Sequence, residues 1–148
     1  KEKNMAGNIT SANASAIMVV NTLFPIGFAL EAFSTDQSIT MGEDTVTETR
    51  MGVDGVMAAG FVPSIKSITI SFEEFSPSVT YLQQLYQAMQ ANKKIYDITL
   101  IVTVPSISKS YTFTGGVLKT AKVLADHKKV LDPVTYGFDF EKVAITSI

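Results

Sequence analysis

The sequence predicts a mainly β protein in which one amphipathic helix covers a sheet. Three observations carry that expectation. Several segments alternate apolar and polar residues with period two, as strands with one buried face do. A single segment places apolar residues at helical spacing behind a capping serine. The 148 residues show no internal repeat and no linker, so one domain over 1–148 is expected.

Lys1–Asn4 precede Met5, which reads as the natural start, so the tetrapeptide is set aside as left over from cloning; 5–16 is expected to be a flexible N-terminal segment. Ile17–Val20 and Ile26–Phe33 are short apolar runs, separated by a turn that Asn21 and Pro25 mark. Residues 38–50 are rich in threonine, with Val46 between Thr45 and Thr47, which suits a strand with a wet face. Gly52, Asp54 and Gly55 then mark a tight turn, because Asp-Gly favours positive φ. Val56, Met57, Ala58, Ala59, Phe61 and Val62 follow at once, placing apolar surface beside a turn that belongs in solvent.

From Lys66 the alternation is clean. Ile68, Ile70 and Phe72 point one way, and Ser67, Thr69, Ser71 and Glu73 the other. Ser76 as N-cap and Pro77 at the first helical position open a helix over about 76–92. Val79, Leu82, Leu85, Tyr86 and Met89 form its apolar stripe, Gln83, Gln84, Gln87 and Gln90 its polar side, and Asn92, Lys93 and Lys94 its end. Tyr96, Ile98, Leu100 and Val102 alternate with Asp97, Thr99, Ile101 and Thr103, and Tyr111 and Phe113 with Ser110, Thr112 and Thr114. Gly115-Gly116 predicts a bulge or kink in a long strand. Tyr136, Phe138 and Phe140 lie in phase, and Val143 with Ile145 predicts one phase shift within a closing strand.

The search for chemistry returns nothing catalytic. A net charge of −2 argues against a general nucleic-acid binder, and the absence of cysteine removes disulfides and thiolates. The longest apolar run, Ala16–Val20, is too short to span a membrane. His127, the sole histidine, sits among lysines without an orienting partner and reads as solvated. Gly115-Gly116 lacks the Lys-Ser/Thr of a phosphate loop, and the acidic stretch lacks the ligand spacing of a calcium loop. Glu73 and Glu74, as strand neighbours, point to opposite faces and cannot flank one bond. No catalytic, metal-binding or cofactor-binding residue is assigned, and no enzymatic activity is expected.

Charge is unevenly placed. Asp36, Glu43, Asp44, Glu48 and Asp54 are opposed only by Arg50, whereas Lys119, Lys122, Lys128 and Lys129 are opposed only by Asp126. Solvated loops explain either segment alone; together they also suit head-to-tail self-association. The strand face away from the helix carries Ser67, Thr69, Ser71, Thr99, Thr103, Thr112 and Thr114. It reads as an ordinary wet face or as the lining of a water-filled channel.

The order of these features resembles the tail tube proteins of contractile-tailed bacteriophages. The match falls on Gly52, Asp54 and Gly55, on the alternating strand through Phe72, on Ser76, Pro77 and Ser78, and on Leu82 and Leu85 in the helix. The apolar link 56–67 and the segment 115–129 depart from the family's pattern. The resemblance implies a β-sandwich or half-barrel of antiparallel strands with one flanking helix and a long hairpin arm over about 38–64. It implies a structural virion protein of the phage tail, assembled in the bacterial host cytoplasm as stacked hexameric rings. The resulting tube conducts DNA during ejection. Partners would be further copies of itself, the tail sheath, the baseplate and the terminator, with DNA passing unbound and no membrane insertion. Glu43, Asp44, Glu48, Arg50, Val53, Asp54, Val56, Met57 and Phe61 become the subunit-contacting arm, Lys119, Lys122 and Lys128 its basic partner in the next ring, and the seven hydroxyl residues the lumen wall. Alternatively the apolar arm residues tuck into their own core. The related readings are a pyocin or type VI secretion tube subunit and, outside assembly proteins, a β-sandwich ligand-binding module.

Overall fold

The computed structural model of the chain describes residues 15–30, 39–74, 76–127 and 129–148. Its elements are β1 (Ser15–Val20), β2 (Phe24–Ala29), β3 (Ile39–Met41), β4 (Thr47–Met51), β5 (Met57–Phe61), β6 (Lys66–Phe72), α1 (Pro77–Asn92), β7 (Ile98–Val104), a 3-10 turn at Pro105–Ile107, β8 (Lys109–Ala121), β9 (Val134–Phe140) and β10 (Lys142–Ser147). The sheet runs β2-β1-β7-β8-β9-β6-β3, with β10 also paired to β8, and every pairing is antiparallel. Among the described residues, β4 and β5 pair only with each other.

β8 organises this sheet because two glycines let it bend. Its first half pairs with β7 and β10, its second half with β9. Gly115 adopts φ +66°, and a Cβ on Gly116 would lie 2.3 Å from the Phe140 ring. Glycine therefore serves both the turn and the close approach. The register of β7 on β8 shifts at the same place, as a kinked strand requires. The bend also divides the closing strand. Glu141 donates its N–H to the Thr114 carbonyl at 3.1 Å, so β9 stops at Phe140 and β10 starts afresh. One strand with a phase shift was the expectation; two strands are the result.

Two sheets sharing β8 thus enclose one core and stay open, since β2 and β3 are terminal strands of the path among the described residues. Met18, Val20, Leu100 and Phe113 of one sheet meet Ile68, Ile70, Tyr136, Phe138 and Phe140 of the other. The rings of Phe113 and Phe140, 5.4 Å apart, join them. The mainly β antiparallel fold with one helix is therefore borne out, and the period-two faces are the buried ones.

The helix covers this core. Ser76 Oγ accepts from the Ser78 N–H at 3.2 Å, Pro77 opens the first turn, and Lys93 ends it in the left-handed region with its N–H on the Met89 carbonyl. Val79, Leu82 and Leu85 are buried, each contributing about 1.5–3 kcal/mol of hydrophobic stabilisation. Ser78 is buried as well and donates Oγ–H to the Ala29 carbonyl at 3.3 Å, tying α1 to β2. Tyr81 completes that seam by stacking on Phe28, with ring centroids 4.5 Å apart.

Four boundaries differ from expectation. β1 opens at Ser15, inside the span expected to be flexible, and Ala16 is buried; residues 1–14 lie outside those described. β2 begins at Phe24 and holds Pro25, which a terminal strand tolerates because one edge needs no donor; Phe33 lies outside the described residues. Glu73 and Glu74 follow β6 instead of lying on it, so strand alternation does not place them. The threonine-rich stretch is two strands: β3 joins the main sheet, and only β4 and β5 form the arm.

Candidate assembly surfaces

The arm is a two-stranded ribbon in register Thr47 with Phe61, Glu48 with Gly60, Thr49 with Ala59, Arg50 with Ala58 and Met51 with Met57. Directly opposite residues share a face. One face therefore carries Met51, Met57, Ala59 and Phe61 beside two threonines; the other carries Glu48 and Arg50 over Ala58 and Gly60. Every residue of both strands is exposed, with Phe61 at 78% and Met51 at 65%. Glu48, Arg50, Ala58, Gly60 and Phe61 help line a concavity of about 370 Å³ along the ribbon.

The turn and the base of the arm are both fixed by local hydrogen bonds. Gly55 takes φ +86°, Gly52 donates to the Val56 carbonyl at 2.9 Å, and Asp54 Oδ1 accepts from the Val56 N–H at 3.1 Å. At the base, Asp44 accepts a short hydrogen bond from Ser64 Oγ and lies 3.4 Å from Lys66 Nζ. Lys66 Nζ also donates to the Ser64 carbonyl at 2.9 Å, and Val62 N–H to the Val46 carbonyl. The Ser64 hydroxyl, with help from the Lys66 charge, holds the Asp44 carboxyl below its ordinary 3.8.

The expected arm residues are thus brought together, and Val53, Val56, Met57 and Phe61 stay out of the chain's own core. Glu43 and Glu48 are exposed and form no ion pair among the described residues, whereas Asp44 is spent on the base. Of the basic residues, Lys119 lies 3.5 Å from Asp139 and Lys122 3.2 Å from Asp126, so both already have acidic neighbours. Lys128 and Asp36 lie outside the described residues. The hydroxyl face is as alternation places it. Ser67 and Thr69 are exposed, and Ser71, Thr99, Thr103, Thr112 and Thr114 are half-buried on the side away from the core. That face is not purely hydroxylic: Asp139 accepts from Ser67 Oγ at 2.9 Å and pairs with Lys119 across it.

With this geometry in view, the family model described as tail fiber protein gp32 matches residues 7–144. The chain belongs to that family. A search of curated protein sequences finds no match. Among solved structures, the gp32-family chain is similar to a chain of the anti-feeding prophage baseplate, with TM-score 0.61, 11% identity, and 93% of this chain and 95% of that one covered. It is similar to a chain of an extracellular contractile injection system, the PVC sheath-tube complex in its extended state (TM-score 0.60, 14% identity, 97% and 95% covered). A chain of the anti-feeding prophage tube-terminating cap gives TM-score 0.59 at 14% identity over 100% and 97%. At such identities the fold is what is shared.

Sequence reasoning missed Met51, although the hairpin register set by the Asp-Gly turn places it opposite Met57. It also missed Ser64 and Lys66, whose part in the arm's base has no local signature. Among the described residues no cluster could hold a metal ion, and His127 is exposed. Tyr136 is the one strongly shifted group among the described residues. Burial, then the nearby Glu74 charge, pushes its phenol up to about 12, and its hydroxyl has no hydrogen-bond partner among the described residues.

Proposed function

We propose that the chain is a structural subunit of a contractile tail, forming stacked hexameric rings whose lumen conducts DNA. One observation carries this reading: a ribbon exposed on every residue projects from a fold shared almost end to end with chains of contractile-tail assemblies. An isolated two-stranded hairpin is marginally stable in water. An arm of this composition has its use when another subunit covers it.

In this reading, subunits join their sheets edge to edge, removing strand edges that would otherwise aggregate. Rings stack through the arm, with the acidic residues Glu43 and Glu48 oriented by the basic segment around Lys119, Lys122 and Lys128. The hydroxyl face lines the lumen, where few charges let nucleic acid slide without sticking. Sheath, baseplate and terminator proteins are the expected partners, and the particle's tail, built in the host cytoplasm, is the expected location. The neighbours from injection systems favour a second reading, a tube of the same build that carries protein cargo or none.

Negative-stain electron microscopy of concentrated protein tests the proposal: hollow rings or tubes support it, and solid fibres or persistent monomers count against it. Cysteine at Ser67, Thr69 or Thr103 tests the lumen. A bulky thiol reagent should be excluded from assembled protein while a small one still reacts; equal labelling by the bulky reagent before and after assembly contradicts lumenal placement.

A further inference from the structure

The link between β8 and β9 carries two Val-Leu pairs, each preceded by a lysine: Lys122-Val123-Leu124 and Lys129-Val130-Leu131. The loop is pinned. Lys122 N–H bonds the Thr135 carbonyl at 3.0 Å across its mouth, and Asp132 N–H reaches the Asp126 carbonyl at 3.3 Å, tying its limbs. Ala125 is buried in the core. A loop held at three points could turn its apolar side chains inward, yet Leu124 is 68% and Val130 78% exposed, with Val123 and Leu131 also in solvent. Compact surface loops that keep apolar groups outside are commonly contact sites.

We infer that this loop is the seat for the arm of a second copy, an inference that rests on the tube reading above. The surfaces match in kind: Met51, Met57 and Phe61 with Val56 on one side, two Val-Leu pairs on the other. Their net charges are opposite in sign: the arm has Glu43, Asp44, Glu48 and Asp54 against Arg50, and the loop Lys122, Lys128 and Lys129 against Asp126 and Asp132. Both stand exposed in the single chain, and their matched apolar character and opposite net charge suit a second copy as the partner. An arm seated in the next copy's loop leaves that copy's own arm free, and the contact propagates head to tail. Lys122 is already beside Asp126 and Asp44 beside Lys66, and exposed ion pairs contribute little. The apolar side chains supply the affinity, and the charges steer the approach.

The chain has no cysteine, which makes a direct test simple. Phe61→Cys and Leu124→Cys are introduced together, with each single variant as control, and mild oxidation is followed by a non-reducing gel and electron microscopy. A covalent ladder beyond dimers, in the double variant alone, supports the seat. Rings or tubes without a ladder overturn the seat and leave the tube reading standing; neither assemblies nor a ladder overturns both. A ladder from dispersed protein supports the seat and counts against the tube. As a second arm of the test, Leu124→Ser with Val130→Ser should raise the concentration needed for assembly by about tenfold. Lys122→Ala with Lys129→Ala should change it by less than about threefold. The opposite ranking, in variants with unaltered circular dichroism, overturns the inference.

Discussion

The body and the arm of this chain obey opposite rules. In the body, side chains at alternate positions of six strands converge with one helix stripe on a single core, and the polar positions face outward. In the arm, the same alternation exists but neither face is covered. The body's apolar residues stabilise the monomer, whereas the arm's have nothing in the monomer to stabilise. In the proposed function, this ribbon with no layer beneath it is half of an interface.

Substitution should separate the two regions most sharply. Leu100→Ala, at a fully buried position, is expected to lose about 2–5 kcal/mol of stability in urea unfolding. Met57→Ser with Phe61→Ser is expected to change monomer stability by less than about 0.5 kcal/mol and yet abolish assembly. An unfolded arm variant would break the comparison, because it would mean that the arm belongs to the body after all.

Gly116→Ala probes the bend that joins the two sheets. The added Cβ meets the Phe140 ring at 2.3 Å and the Ile98 carbonyl at 3.0 Å, so overpacking should cost about 1–3 kcal/mol. Unchanged stability would mean that Phe140 is free to move aside.

A smaller, local effect is expected at the arm's base. Because the folded Asp44 carboxyl titrates below its ordinary 3.8, its bonds are fully present above that pH. They are lost as pH falls through the lowered folded value. Exchange of the Val62 amide, bonded to Val46 beside this carboxylate, should accelerate over that acid window while core amides do not. Asp44→Asn should flatten the pH dependence; an unaltered acid profile in the variant would remove Asp44 from this role.

How much of this was legible in the sequence follows the same division. The strands through Ile68–Phe72, Ile98–Val102 and Tyr136–Phe140, and the helix from Ser76, were readable because periodicity and capping are local signals. The Gly115-Gly116 kink was readable for the same reason. Its consequence, the break at Glu141 between β9 and β10, was not, because it depends on a partner strand distant in sequence. Likewise the turn at Asp54-Gly55 announced a hairpin, but only long-range pairing shows that β3 stays with the body while β4 and β5 leave it. The acidic character of Asp44 was visible, and its use within the chain was not, since Ser64 and Lys66 lie about twenty residues away. The Val-Leu pairs of the 122–131 loop went unread, because nothing in their local sequence marks them as exposed.

The central claim is that the arm's surface is completed by another copy. Hydrogen exchange of the amides in 47–61, compared between dispersed and assembled protein, tests it most directly. The expected result is strong protection of the arm on assembly, with the body's core amides unchanged. Equal exchange of the arm amides in both states would contradict the claim.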